Sequence, residues 1–315
     1  MVAVVITGVL VVTAVAGVVW LLAPSGLSRD ADADGLTDAR EREIGTDPHD
    51  PDTDGDALPD GVEVDQRRYD LSLTNATAVD LDLDNDNASD ADPLVKDIFV
   101  EVDRMEDYRL SFLAVAFAQR PLQRSPVGVI ELHIDQDDGG GNTVPSDDCL
   151  GLSPLHYDDF LAIKRAHFDA SRKGVFHYAL LANRISSDAT CDEDILGQAF
   201  GHDDDFLLAY ERLQFGGESQ IAAVFLHELG HNLGLVDTLY AGIDNGCTLP
   251  GSSCFDPALY SNYESVMNYR FQRGFGGGGS WVIDYSDGTH GVDSYGNPDH
   301  NDWAQLRYDG VRTPD

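Results

Sequence analysis

The chain of 315 residues carries 56 acidic and 20 basic residues, a formal net charge of −36. Such a surface repels nucleic acids and anionic lipid headgroups, so both are excluded as partners of the charged surface. The hydrophobic fraction of 42 % permits a sizeable buried core.

The acidity extends along most of the chain. Only three lysines occur, at positions 96, 164 and 173, and aspartate greatly outnumbers glutamate. Acidic residues recur at 147–160, 188–205 and 284–309, so a single acidic segment does not account for them. The composition resembles that of proteins from extreme halophiles, and it predicts a protein adapted to salt, which shortens the screening length to about 3 Å at 1 M.

The first 26 residues are predicted to be a membrane anchor. Residues 2–23 contain no charged side chain, and about 20 helical residues span a bilayer core of ~30 Å. Trp20 lies near the end of the run, where it suits the membrane interface. A cleaved signal peptide is the alternative, although the apolar run is long and no basic residue precedes it. Either way, we expect the rest of the chain to be at the cell surface or secreted.

Residues 27–93 contain two acidic loops that are predicted to bind calcium. In each twelve-residue frame, aspartates occupy positions 1, 3, 5 and 9, a leucine carbonyl occupies position 7 and a glutamate occupies position 12. The predicted ligands are Asp30, Asp32, Asp34, Leu36, Asp38 and Glu41, followed by Asp52, Asp54, Asp56, Leu58, Asp60 and Glu63. Position 6 requires a sharp turn, which Gly35 favours and Ala57 does not.

The two loops begin 22 residues apart and resemble thrombospondin type-3 repeats, with Gly45-Thr46-Asp47-Pro48 between them. A third acidic run, residues 80–92, has the same alternation without a glutamate at position 12, so a degenerate repeat and a plain linker both remain open. A solvated acidic linker is the alternative for the first two loops. We expect the repeats to form a calcium-stiffened spacer that precedes the next domain.

Residues 94–315 are predicted to form an α+β domain. Alternating or continuous apolar runs predict strands at 98–102, 127–134, 175–181 and 205–210, and helical spacing predicts helices at 108–120, 158–169 and 218–233. Four cysteines are expected to form disulfides. Cys247 and Cys254 enclose a short loop, which leaves Cys149 and Cys191 as the second pair, but three connectivities remain possible.

The helix at 218–233 carries the motif on which the functional prediction depends. His227 and His231 are four residues apart, so both imidazoles project from one helix face at a separation suited to zinc. Glu228 lies beside them and can accept a proton from a zinc-activated water. Gly234 can end the helix in the left-handed conformation, which allows Asp237 to turn back as a third ligand. Asp244 is the less favoured alternative, because it lies seven residues further along the chain, and it is expected not to bind zinc.

The pattern His227, Glu228, His231, Gly234 and Asp237 resembles the consensus of metzincin zinc endopeptidases, with aspartate in the last place. Ser265-Val266-Met267-Asn268-Tyr269 is similar to the Met-turn of that clan, which places a methionine beneath the metal. The resemblance implies a metzincin-like fold with a mixed sheet, an active-site helix and an irregular lower part, and it implies that Tyr269 lies near the zinc. An edge strand along the cleft would receive an extended substrate.

The sequence therefore predicts a zinc- and calcium-dependent endopeptidase that hydrolyses protein or peptide substrates, with Glu228 as general base and Tyr269 as a donor to the oxyanion. A thermolysin-like site would need a later glutamate ligand, and Glu264 is unsuited because no helical pattern surrounds it. The alternative function is calcium-dependent adhesion by a degenerate protease domain. The intact Glu228 argues against it.

Overall fold

The computed structural model describes residues 29–68, 77–136, 142–151, 157–186, 195–200, 205–272 and 282–309. The predicted N-terminal anchor and Cys191 lie outside these ranges. Within them, no helix combines the length and the apolar content that crossing a bilayer requires.

The described residues form a mixed α+β structure, as the sequence predicts. The helices are α1 (Asp38–Ile44), α2 (Asp60–Asp65), α3 (Phe112–Leu122), α4 (Tyr157–His167), α5 (Tyr210–Leu213), α6 (Glu218–Asn232) and α7 (Tyr269–Gln272). The strands are β1 (Arg67–Arg68), β2 (Thr77–Ala78), β3 (Lys96–Arg104), β4 (Ile130–Asp135), β5 (Leu150–Gly151), β6 (Phe176–Ala182), β7 (Ile185–Ser186), β8 (Gly197–Ala199) and β9 (Asp205–Ala209).

The central sheet has the strand order β4-β3-β6-β9-β8. Its first four strands are parallel, and β8 runs antiparallel to β9 at the edge. All seven residues of β6 and all five of β9 are buried, as expected for parallel strands that are covered on both faces. Helix α6 packs on β8 and β9, and α3 packs on α6. The sheet edge formed by β8 therefore lies beside the predicted active-site helix.

Strand β8 is absent from the sequence prediction. Its three residues are too few to display an alternating pattern, and it begins with glycine, which is depleted in strands. Its register, Gly197 opposite Leu208 and Ala199 opposite Phe206, is set by pairing with the fully buried β9.

The segment with the two predicted calcium loops packs directly against the sheet. Leu58, Val62, Val79 and Leu81 share one buried cluster with Phe99, Val175 and Phe176 of the sheet region. The backbone N–H of Asp97, in β3, donates to Asp56 Oδ2 at 2.6 Å. Apolar burial and a direct hydrogen bond thus join the second acidic loop to the central sheet.

Cys247 and Cys254 form a disulfide across the short loop predicted for it. Cys149 is also disulfide-bonded, while Cys191, its expected partner, lies outside the described residues.

Candidate active site and metal centres

Helix α6 buries most of its length and ends where the sequence predicts. Its buried residues run from Ile221 to Gly230 without interruption, so the helix lies within the core and presents its motif to the interior. Gly234 takes a φ of 91°, the left-handed conformation that glycine adopts without steric cost. The N–H of Leu235 donates to Gly230 O at 2.9 Å, which closes a Schellman-type turn.

The two histidines are held in one tautomer by backbone carbonyls. His227 Nδ1 lies 2.9 Å from Val266 O, and His231 Nδ1 lies 2.7 Å from Leu235 O. A carbonyl only accepts, so we assign one proton of each ring to Nδ1, which leaves Nε2 as the atom of each ring that a metal can bind. The two Nε2 atoms lie 3.1 Å apart. Two ring nitrogens on one helix face at this distance are spaced as ligands of a single cation, which is the arrangement of zinc-binding histidines.

Asp244 places its carboxylate against both imidazoles. Its Oδ1 lies 2.9 Å from His227 Nε2, and its Oδ2 lies 3.3 Å from His231 Nε2. The Oδ1 atom is buried and accepts no hydrogen bond of normal geometry, although it lies this close to His227. Asp244 has a φ of 53°, a left-handed conformation that few non-glycine residues adopt and that concentrates at functional sites. Two imidazole nitrogens and one carboxylate are a donor set that fits zinc.

Asp237, the third ligand predicted from the sequence, is exposed, and the structure brings Asp244 to the histidines in its place. The residues directly after Gly234 orient a histidine, since the carbonyl of Leu235 accepts a hydrogen bond from His231. The chain then makes two further turns, closed by Leu239 N–H to Val236 O at 2.9 Å and by Ile243 N–H to Tyr240 O at 3.0 Å. Only after these turns does it return to the site.

The charges of the site are strongly coupled. Burial disfavours the imidazolium, but the adjacent Asp244 and Glu228 carboxylates outweigh it and raise the pKa of His231 to about 9. Burial opposes ionisation of Asp244 as well, yet the two imidazoles hold its pKa below the ordinary value. Without a metal, the site therefore retains a proton near neutral pH. Zinc must displace this proton, so its binding is expected to weaken as pH falls.

Glu228 is buried between α6 and the sheet edge. It is 4 % exposed, and burial raises the pKa of its carboxyl group, an effect that the neighbouring His227 and His231 oppose. The backbone of Ala199, in β8, also lies close enough to lower the pKa of this carboxyl group, although burial outweighs it. A carboxyl group with a raised pKa beside a metal site is suited to accept and return a proton.

The segment resembling a Met-turn lies beneath the two histidines. Val266 supplies the carbonyl that orients His227, and Met267 is fully buried, with its sulfur so close to Gly230 that a β-carbon there would lie 2.6 Å from it. The ring of Tyr269 stacks on His227 with centroids 5.6 Å apart. The structure thus brings Tyr269 to the site, as the resemblance implies.

Asp302 anchors this turn and was not identified from the sequence. Its carboxylate accepts from Tyr263 Oη at 2.8 Å, Ser265 Oγ at 2.6 Å and the N–H of Ser286 at 3.0 Å. Ser265 Oγ in turn accepts from the N–H of Met267 at 3.0 Å. Burial dominates over these donors and raises the pKa of Asp302 to about 6. An aspartate in a polar, irregular stretch gives no sequence signal of such a role.

Both predicted calcium loops have the expected turn conformation. In the second loop, Asp52 accepts from the N–H of Asp56 at 3.1 Å and of Ala57 at 2.9 Å, and Asp56 accepts from Leu58 N–H at 2.6 Å. Ala57 takes a φ of 75°, the same region that Gly35 occupies with a φ of 107° in the first loop. The alanine therefore follows the glycine conformation despite its steric cost.

Several loop oxygens have no partner within the described residues. Both carboxylate oxygens of Glu41 and of Glu63 are buried without a hydrogen bond, as are Asp32 Oδ2, Asp38 Oδ1 and Asp54 Oδ2. Burial and the adjacent aspartates raise the pKa of Glu41 to about 7 and that of Glu63 to about 11. Uncompensated buried carboxylates are costly, and a hard divalent cation would satisfy them, so these residues fit calcium.

The third acidic run adopts the same loop in a frame that begins at Asp82. Asp82 accepts from the N–H of Asp86 at 3.0 Å and of Asn87 at 2.8 Å, and Asn87 has a φ of 71°. Position 12 of this frame is Pro93, and Asp82 and Asp86 are not fully buried. The loop shape is shared with the first two copies, while the closing carboxylate is missing.

A scan of the chain against protein-family models finds no match, and a search among curated proteins finds no similar sequence.

Proposed function

We propose that the chain is a zinc-dependent endopeptidase with His227, His231 and Asp244 as metal ligands. The observation that carries the proposal is the convergence of two imidazole Nε2 atoms and a buried carboxylate oxygen beside Glu228. The metzincin-like motif is compatible with this set, with Asp244 in place of the aspartate expected from its spacing.

The residues around the site have distinct roles in the proposed hydrolysis. Bound zinc would supply a Lewis acid that polarises the peptide carbonyl and acidifies the attacking water. Glu228 accepts the proton of that water and returns it to the leaving amine. Tyr269, stacked on His227, is the proposed donor to the oxygen on which negative charge develops. Met267 and Asp302 keep the turn that orients His227 in place.

An extended polypeptide is the substrate that the surroundings favour. Strand β8 is an edge of the central sheet, and α6 packs against it, so a peptide that pairs with β8 as a further strand passes Glu228. This assigns the predicted substrate strand to β8. We further propose that calcium occupies the first two acidic loops and that the protein acts outside the cytoplasm, at the cell surface or secreted, which the Cys247–Cys254 disulfide supports.

The proposal is tested by comparing the wild type with Glu228→Ala and Glu264→Ala. Protein prepared with zinc and calcium in high salt is assayed for zinc content and for hydrolysis of casein. Because Glu228 is not a metal ligand here, Glu228→Ala is expected to retain one zinc per chain and to lose at least about a hundredfold in activity. Glu264, which is half exposed, is the matched control and should leave activity unchanged. Wild-type protein that binds zinc yet cleaves no peptide would refute the proposed function.

A further inference from the structure

Gly197 lies in contact with the proposed general base. A β-carbon built at Gly197 would lie 2.7 Å from Cγ and 2.8 Å from Cδ of Glu228, and closer still to Oε1. Carbon atoms in ordinary contact are about 3.5–4.0 Å apart, so a side chain here conflicts with the present position of Glu228. The backbone of Gly197 is not in the left-handed region. Space, and not backbone conformation, therefore requires glycine at this position.

The closest conflicts are with one side chain. The three heavy atoms nearest to the built β-carbon all belong to Glu228. The far end of a glutamate is flexible, so an added methyl group would displace the carboxylate and leave the fold intact. Two residues further along β8, the backbone of Ala199 lies close enough to the same carboxylate to lower its pKa. Pairing with β9 fixes both residues in register, so the strand provides the space and a polar backbone neighbour together.

We propose that Gly197 is a positioning residue for the reaction, which it serves by allowing Glu228 to lie against the sheet edge beside the backbone of Ala199. The inference rests on the proposed function, and it adds a specific reason for the glycine in β8. In a metallopeptidase, the carboxylate that takes the proton of water must lie within hydrogen-bond reach of that water, and a displacement of about 1 Å is sufficient to reduce turnover.

A double-mutant cycle of Gly197→Ala with Glu228→Ala tests the contact without relying on activity. In the wild-type background, Gly197→Ala is expected to lower the melting temperature by about 2–6 °C, since overpacking is destabilising. In the Glu228→Ala background the same substitution should leave the melting temperature almost unchanged, because the conflicting side chain is gone. An undiminished loss in that background would overturn the inference, even if the protein proved to have no peptidase activity.

The same four proteins separate positioning from a general structural role. Gly197→Ala should retain one zinc per chain, keep KM within about threefold of the wild type and lower kcat by about 10²-fold, a loss within the range for a misplaced base. It should not lower the residual activity of Glu228→Ala any further. Gly246→Ala is the matched control, since a β-carbon there meets no atom within 4 Å. Wild-type kcat in Gly197→Ala, or equal losses in both backgrounds, would refute the role.

Discussion

The proposed third zinc ligand is tested by a matched pair of substitutions, Asp244→Asn and Asp237→Asn. Asparagine is chosen because it tolerates the left-handed conformation of residue 244, where φ is 53°, and it removes the charge with little change of shape. Because structural zinc sites with four ligands bind with about 10–16 kcal/mol, one ligand contributes on the order of 3 kcal/mol. At 1.4 kcal/mol per tenfold, its loss corresponds to about a hundredfold in Kd.

The measurement is a competition titration of zinc against a chromophoric chelator at constant pH and salt. Asp244→Asn should raise the zinc Kd by about a hundredfold, because the carboxylate beside both Nε2 atoms is lost. Asp237→Asn should stay within about twofold of the wild type, since residue 237 is exposed and the substitution removes only a surface charge. The reverse result, with zinc lost only in Asp237→Asn, would refute the assignment and restore the ligand expected from the motif spacing.

Three further predictions concern calcium, backbone strain and pH. Glu63→Gln should lower the melting temperature of the calcium-loaded protein by about 5–10 °C, because both buried carboxylate oxygens of Glu63 lack a hydrogen bond and are proposed to bind calcium. Asp86→Asn in the third loop should leave the melting temperature unchanged. A wild-type melting temperature that does not depend on calcium would contradict this. Ala57→Gly should raise the unfolding free energy by about 1 kcal/mol in urea titrations, because the left-handed conformation is strained for alanine, and a destabilised variant would argue against that strain. The pKa of Asp302 is raised to about 6 from 3.8, so its stabilising contribution is full below pH 3.8 and is lost as pH rises through 6. In saturating calcium, the unfolding free energy of the wild type should therefore fall by up to about 3 kcal/mol more than that of Asp302→Asn between pH 4 and pH 7. Parallel pH profiles of the unfolding free energy for the two proteins would exclude this.

The local parts of the site were predictable from sequence because they depend on short spacings. The pair His227 and His231 follows from helical periodicity, and Gly234 from its freedom to end a helix. Asp244 was not predictable in the same way. It reaches the histidines through two successive turns and a bond from its N–H to Met267 O at 3.2 Å, a contact between segments that the motif spacing does not encode.

The acidic loops were recognised for a similar reason, since alternating aspartates in a twelve-residue frame have a direct chemical meaning. Their docking on the sheet was missed because it depends on few apolar residues. Leu58 was interpreted as a carbonyl ligand only, yet its side chain is 3 % exposed and packs with Phe99 and Phe176. A residue can serve a metal loop through its backbone and the core through its side chain, and sequence pattern alone does not separate the two roles.

The anchoring of the Met-turn by Asp302 has a consequence for biosynthesis. His227 and Glu228 emerge from the ribosome well before residue 302, since chains are made from the N-terminus. A nascent chain that ends at the Met-turn has both histidines but lacks the carboxylate that fixes Ser265 and Tyr263. It also lacks Arg307, whose N–H donates to the carbonyl of Leu233 at the end of α6. Assembly of the candidate site is thereby expected to wait until these late residues have been translated, which would keep unfinished chains from showing the proposed peptidase activity.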